Sequence, residues 1–177
     1  ADGLSAFDPY ESAEALAQQY LSPLSLPAEH EAAVFSGILK SGGKEEIYSG
    51  RGRGTVCGIS VRENNYGPSV LSDLFIRISF DGKERVCAPF GTFFGCEYGK
   101  TPARLDTALL TCDISGSSAF FSNRFPMPYF ENVKIILENR GSTDISIAES
   151  AVGLNFSAVY EKGKTGYFTS SKYYGKT

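Results

Sequence analysis

The chain has 177 residues, enough for one domain with a self-sufficient core, and 42% hydrophobic against 21% charged residues is the balance of a soluble globular protein. A formal net charge of −3 and a pI near 5.3 give no basis for nucleic acid or an anionic membrane as partner. No apolar run approaches the ~20 residues that would span a bilayer, so no membrane span is expected.

The chain opens on Ala1 rather than Met, which fits a processed secretory terminus, and the expected location is secreted or at the cell surface, with the cytoplasm as the alternative. Asp8-Pro9-Tyr10-Glu11 carries a capping residue, proline at the first helical position and an acid in the first turn. This predicts a short helix to about Tyr20, with Pro23 and Pro27 stopping its continuation. Residues 1–32 are therefore read as a helix and proline-containing linker, and 33–177 as a single domain.

From Ala33 the apolar period changes to two. Ala33 to Leu39 and Lys44 to Tyr48 flank Ser41-Gly42-Gly43 and read as a hairpin, and Thr55 to Arg62 is a further alternating run. Across Leu71 to Phe80, the set Leu74, Ile76, Ile78 and Phe80 lies on one face, and Asp81-Gly82 is a two-residue turn into Glu84 to Ala88. Later strands are predicted at 108–112, 119–125, 133–139, 145–160 with a break near Gly153, and 166–173. Short strands separated by turn signals, with no helical repeat between them, predict an all-β fold, an antiparallel jelly-roll sandwich.

Little in the chain has the pattern of a catalytic or metal site. The single histidine, His30, lies between Glu29 and Glu31 with no nucleophile or second histidine in its neighbourhood. Ser49-Gly50-Arg51-Gly52-Arg53-Gly54 lacks the lysine and hydroxyl of a phosphate loop and leads into a strand, so its glycines read as turn residues and its arginines as solvated. Asp81, Glu84, Glu97, Asp106, Asp113 and Glu138 are strand-end or loop acids without a readable pairing. Asn155-Phe156-Ser157 matches a glycosylation sequon inside an alternating run. No metal or other cofactor is expected. Cys57, Cys87, Cys96 and Cys112 have no zinc-type spacing. They read either as buried thiols or as disulfide partners, with Cys87 and Cys96 flanking one short loop.

That loop, Cys87-Ala-Pro-Phe-Gly-Thr-Phe-Phe-Gly-Cys96, and Phe125-Pro-Met-Pro-Tyr-Phe130 are the most distinctive segments. Their aromatic residues have two readings, sandwich interior or contact with a sugar or a partner subunit. Phe90, Thr92, Phe93, Phe94, Asn123, Phe125, Met127, Tyr129 and Phe130 are the candidate contacts.

Gly52 to Val61, Leu74 to Gly82, Pro89 to Gly95, Asn123 to Pro128 and Val133 to Asn139 follow one another in an order that resembles a known group. It is the first jelly roll of the double-jelly-roll proteins of glycoside hydrolase family 172. The resemblance implies a jelly roll, activity on α-fructofuranosides and difructose dianhydrides in the family, and assembly as trimers or multiples of trimers. Thr92 stands where the family has an acid, Ser60 and Phe80 where it has tryptophans, and Tyr129-Phe130 where it has an aromatic followed by arginine. The G-T-G-T-E-D-Y-F segment, which carries the family's catalytic carboxylates in its second jelly roll, is absent, so no catalytic residue carries over. Two functions follow. One is a non-catalytic jelly roll that self-assembles as a trimer, hexamer or filament and serves as a structural or carbohydrate-binding subunit. The alternative is the N-terminal half of a family-172-like hydrolase.

Overall fold

A computed structural model describes residues 28–96, 104–157 and 160–171. The expected N-terminal helix lies outside the described residues. Among those described, no helix is long and apolar enough to cross a membrane.

The strands are β1 (His30–Leu39), β2 (Lys44–Arg51), β3 (Gly54–Glu63), β4 (Leu74–Phe80), β5 (Lys83–Pro89), β6 (Arg104–Asp106), β7 (Leu110–Ser115), β8 (Ser118–Asn123), β9 (Met127–Tyr129), β10 (Asn132–Asn139), β11 (Ile145–Asn155) and β12 (Ser170–Ser171). Among the described residues, two single-turn helices, α1 (Val70–Asp73) and α2 (Phe90–Phe93), interrupt them. A seven-stranded sheet runs β1-β11-β3-β8-β7-β6, with β9 also on β3, and a five-stranded sheet runs β12-β5-β4-β10-β2. The pairs β1·β11, β2·β10, β3·β8 and β4·β5 are all antiparallel and nest inside one another along the chain. Nested pairing distributed over two sheets is a jelly roll, and the fold is the all-β sandwich expected.

The inner faces follow the alternation. Ile76, Ile78 and Phe80 on β4 stand opposite Leu137, Ile135 and Val133 on β10, and all six are essentially inaccessible. Ile59 and Val61 on β3, Phe121 on β8 and Ile147 on β11 close the core from the other sheet. Each such side chain contributes about 1.5–3 kcal/mol of burial. Asp81 (φ 52) and Gly82 (φ 76) both take left-handed angles, as a primed two-residue turn requires.

Four local expectations change. β1 and β2 do not form a hairpin: the turn at Lys40 to Gly43 is made, yet the strands enter different sheets. The turn is held instead by the β10–β11 connection, where Asp144 binds the Lys40 ammonium at 2.7 Å and the Ser41 N–H at 3.0 Å. Leu71 to Asp73 belongs to α1 rather than to the β4 run, because the Ser72 and Asp73 N–H groups close back onto the Ser69 carbonyl. Of the strand expected at 166–173, the described residues up to 171 form only β12, which pairs with β5 in parallel, and 172–173 lie outside the described residues. β1 itself starts at His30 rather than Ala33.

Candidate functional site

Pro89 is extended at the N-terminus of α2, and the chain then coils for one turn, placing Phe90, Phe93 and Phe94 inside the sandwich. Phe94 packs at 5.0 Å on Phe90 and 5.6 Å on Phe121, and Phe90 meets Phe121 edge-on at 5.7 Å. Asn123, 1% exposed, joins this segment to the second one: its amide donates to the Phe93 carbonyl at 2.9 Å, and its side-chain oxygen accepts the Phe125 N–H at 3.0 Å. The two segments are thus brought together by one buried amide whose donor and acceptor sides are both used. Met127 and Tyr129 are also buried. Of the nine candidate contacts, only Thr92, Phe125 and Phe130 reach the surface. The core accounts for the others.

Of the two readings for the cysteines, a Cys87–Cys96 bridge is not formed. Cys96 is bonded to Cys112 on β7, with Cα atoms 6.0 Å apart. Cys87 lies on the outer face of its sheet, opposite Arg77 in the β4·β5 register, and its sulfur is 3.4 Å from the Arg140 guanidinium. Cys96 and Cys112 are buried in the core instead, so Cys87 and Cys96 lie on different sides of the five-stranded sheet. Cys57 keeps a buried thiol. Reduction of Cys96–Cys112 is expected to lower unfolding stability by about 2 kcal/mol, the lower end for closing a loop of this length. Urea titrations with and without reductant measure it, and Cys87→Ser is expected to leave the midpoint unchanged.

Asp81 organises the opposite end. Its carboxylate accepts the backbone N–H groups of Phe130 at 3.0 Å, Glu131 at 2.7 Å and Asn132 at 3.0 Å, and the Tyr167 hydroxyl at 2.6 Å. Burial alone would push this carboxyl up, but the Tyr167 hydroxyl and the three N–H groups outweigh it and hold it below the usual carboxylate range. Asn132 reciprocates by accepting the Gly82 N–H at 3.1 Å. The proline-bearing segment is therefore fastened to the β4–β5 turn.

Glu63 was not singled out from the sequence, although one signal was there: it continues the inward series Ile59, Val61, Glu63. Its side chain is 2% exposed, with one carboxylate oxygen lacking a partner, and the nearby Tyr66 hydroxyl is also buried and unpartnered. Burial pushes the Glu63 carboxyl up to about 7, and Glu63 together with burial raises the Tyr66 hydroxyl.

A family model described as GH172 domain-like matches residues 30–152, which is more than half of the chain. The chain belongs to the GH172 domain-like family. No curated protein matches it.

The matched span of this GH172-like jelly roll contains both aromatic segments, Asp81 and Glu63. A further carboxylate, Glu138, lies on the outer face of the five-stranded sheet between Lys44 at 2.9 Å, Arg140 at 2.9 Å and Arg77 at 3.4 Å. Burial would raise it, but hydrogen bonds from Arg140 and Lys44 outweigh burial and lower it. Arg77 also pairs with Glu84 at 2.6 Å, and Arg140 covers the Phe75 ring at 3.8 Å. A polar depression of about 410 Å³ opens on the β2–β10 side, lined by Ser49, Gly50, Arg51, Glu131, Asn132, Val133 and Lys134. Arg51 and Arg53 are exposed, as expected for solvated turn arginines. His30 is exposed too, with its ring 5.6 Å from Phe156. The sequon residue Asn155 is only 6% exposed. Among the described residues, no group of three or more His, Cys, Asp or Glu side chains could hold a metal.

Proposed function

We propose that this GH172-like jelly roll acts as a non-catalytic, self-assembling subunit with a structural or carbohydrate-binding role. The observation that supports it is the fate of the carboxylates. Asp81 is engaged by four donors, Glu138 by three cations, and Glu63 is sealed in the core. Glycoside hydrolysis needs two carboxyl groups about 5–10 Å apart facing a substrate cleft. The surface contact would fall on Thr92, Phe125 and Phe130. Secretion accords with the Cys96–Cys112 disulfide, which persists in oxidising compartments. The second reading, the N-terminal half of a hydrolase whose catalytic carboxylates lie in a second jelly roll, draws its support from family membership itself.

The chain is expected to release no product from aryl α-fructofuranosides or difructose dianhydrides. Turnover that a single substitution such as Glu63→Gln abolishes would overturn the non-catalytic reading. For assembly, light scattering at micromolar concentration is expected to give a trimer or hexamer, reduced by Phe130→Arg with the fold retained. A wild-type monomer would exclude self-assembly.

A further inference from the structure

Four polar side chains at the β2–β10 edge share one face of the five-stranded sheet. Val133 is buried and stands opposite Gly50, so the alternate residues Ser49, Arg51, Asn132 and Lys134 face away from the core, with Arg51 opposite Asn132 and Ser49 opposite Lys134. Together with Glu131 they line the depression of about 410 Å³. Opposed side chains of an antiparallel pair start about 5 Å apart and successive ones on a face about 7 Å apart along the strand, so the four define a small rectangular platform.

The platform is held from beneath. Asn132 donates its backbone N–H to Asp81 at 3.0 Å and accepts the Asp81 N–H at 2.8 Å, and its side-chain oxygen accepts the Gly82 N–H at 3.1 Å. On the facing strand the Gly52 N–H donates to the Glu131 carbonyl at 2.8 Å. The groups left over are almost all donors. The Asn132 oxygen is taken by Gly82, which leaves its NH2, and the Glu131 carboxylate is taken by Lys162 at 2.5 Å. Lys134 pairs with Glu46 at 2.6 Å, an exposed contact that holds the ammonium only weakly. The Arg51 guanidinium, the Ser49 hydroxyl and the Asn132 NH2 form no hydrogen bond or ion pair with any described residue.

We propose that this face binds an acidic saccharide, with a uronate carboxylate on the Arg51 guanidinium and sugar hydroxyls on Ser49, Asn132 and Lys134. A guanidinium donates two parallel N–H groups that match a planar carboxylate. The neutral donors beside it suit hydroxyl oxygens, and the volume falls in the range of small-molecule sites, about 300–1,000 Å³, larger than a bare anion fills. One unpaired guanidinium on a chain of net charge −3 is not the basic stripe that a nucleic acid requires. The inference rests on the carbohydrate-binding arm of the function proposed above and names the charge of the sugar and a place for it, whereas light scattering reads the self-assembly arm separately.

The full chain, followed through assigned backbone amide spectra, is expected to bind digalacturonate with saturable shifts at Gly50, Arg51 and Lys134. Arg51→Gln should weaken binding about tenfold or more at an unchanged urea midpoint, because a charge-assisted fork is lost. Arg51→Lys, which keeps the charge without the fork, should fall between the two. Arg104→Gln, on the other sheet, should bind as the wild type does. The uncharged dimethyl ester of digalacturonate is expected to bind at least tenfold more weakly than the acid. Equal binding of the ester would overturn acid recognition while leaving a carbohydrate-binding subunit. Equal binding of inorganic sulfate would reduce the face to a bare anion site and overturn the saccharide assignment. Wild-type affinity in Arg51→Gln, or no saturable shift at these amides, would overturn the site itself.

Discussion

Asp81→Ala should destabilise the protein by about 4 kcal/mol, read as a lowered urea midpoint at unchanged slope. Three backbone N–H groups and one phenol lose a charged acceptor at once, and each bond to an ionised group is worth roughly 1.5–3 kcal/mol before partial solvation is allowed for. The substitution also places alanine at φ 52, where an L side chain is disfavoured by about 1 kcal/mol. Asp81→Asn separates the two effects, because asparagine tolerates the left-handed angle and keeps one acceptor oxygen without the charge. It should cost about half as much. The sign of the pH dependence follows from the lowered carboxyl. The folded state releases the proton more readily than the unfolded one, so the contribution is present above the ordinary value of 3.8 and disappears as pH falls through the lower, folded value. If Asp81→Ala and Asp81→Asn both unfold with wild-type midpoints, the anchoring role is wrong.

Glu63 should act in the opposite direction. Its carboxyl rises from 4.5 to about 7 on folding because burial disfavours the charged form. Between those values the folded state holds a proton that the unfolded state has released. Stability is therefore full below pH 4.5, declines as pH rises, and is reduced by about 3 kcal/mol once pH exceeds 7. Burial, with Glu63 beside it, raises the Tyr66 hydroxyl, so that hydroxyl is neutral near neutrality and supplies no compensating charge. Glu63→Gln removes the titration while keeping the shape. Its unfolding midpoint should stay level from pH 5 to pH 8 while that of the wild type falls. Parallel curves for the two proteins would remove Glu63 as the source of the slope.

The residues that were legible beforehand share one property, that their environment is set by near neighbours. Leu74, Ile76, Ile78 and Phe80 declared the buried face of β4 because side chains alternate with period two whatever the strand later meets. Asp81-Gly82 declared its turn because the angles it needs are supplied by those two residue types. The motifs from Gly52 to Asn139 fall inside residues 30–152, the span that belongs to the family. Sequence alone thus determined an all-β jelly roll of the GH172 kind.

What only the tertiary structure decided depends on partners far along the chain. Cys96 bonds Cys112 rather than Cys87 because β5 directs Cys87 outward while the folded β7 brings Cys112 into the core beside Cys96. The glycine turn after β1 joins two sheets instead of making a hairpin because Asp144 holds it from the other end of the chain. Glu63 loses its water because its strand is paired on both sides, by β8 and β11, and its side chain is buried, and no local pattern reports the desolvation of a single carboxyl. The aromatic segments have two readings in the sequence, and the fold decides between them because Asn123 joins the segments and most of their rings lie inside the sandwich. Burial and long-range pairing are properties of the assembled sheets, and alternation along a strand can state which face is apolar but not what that face will meet.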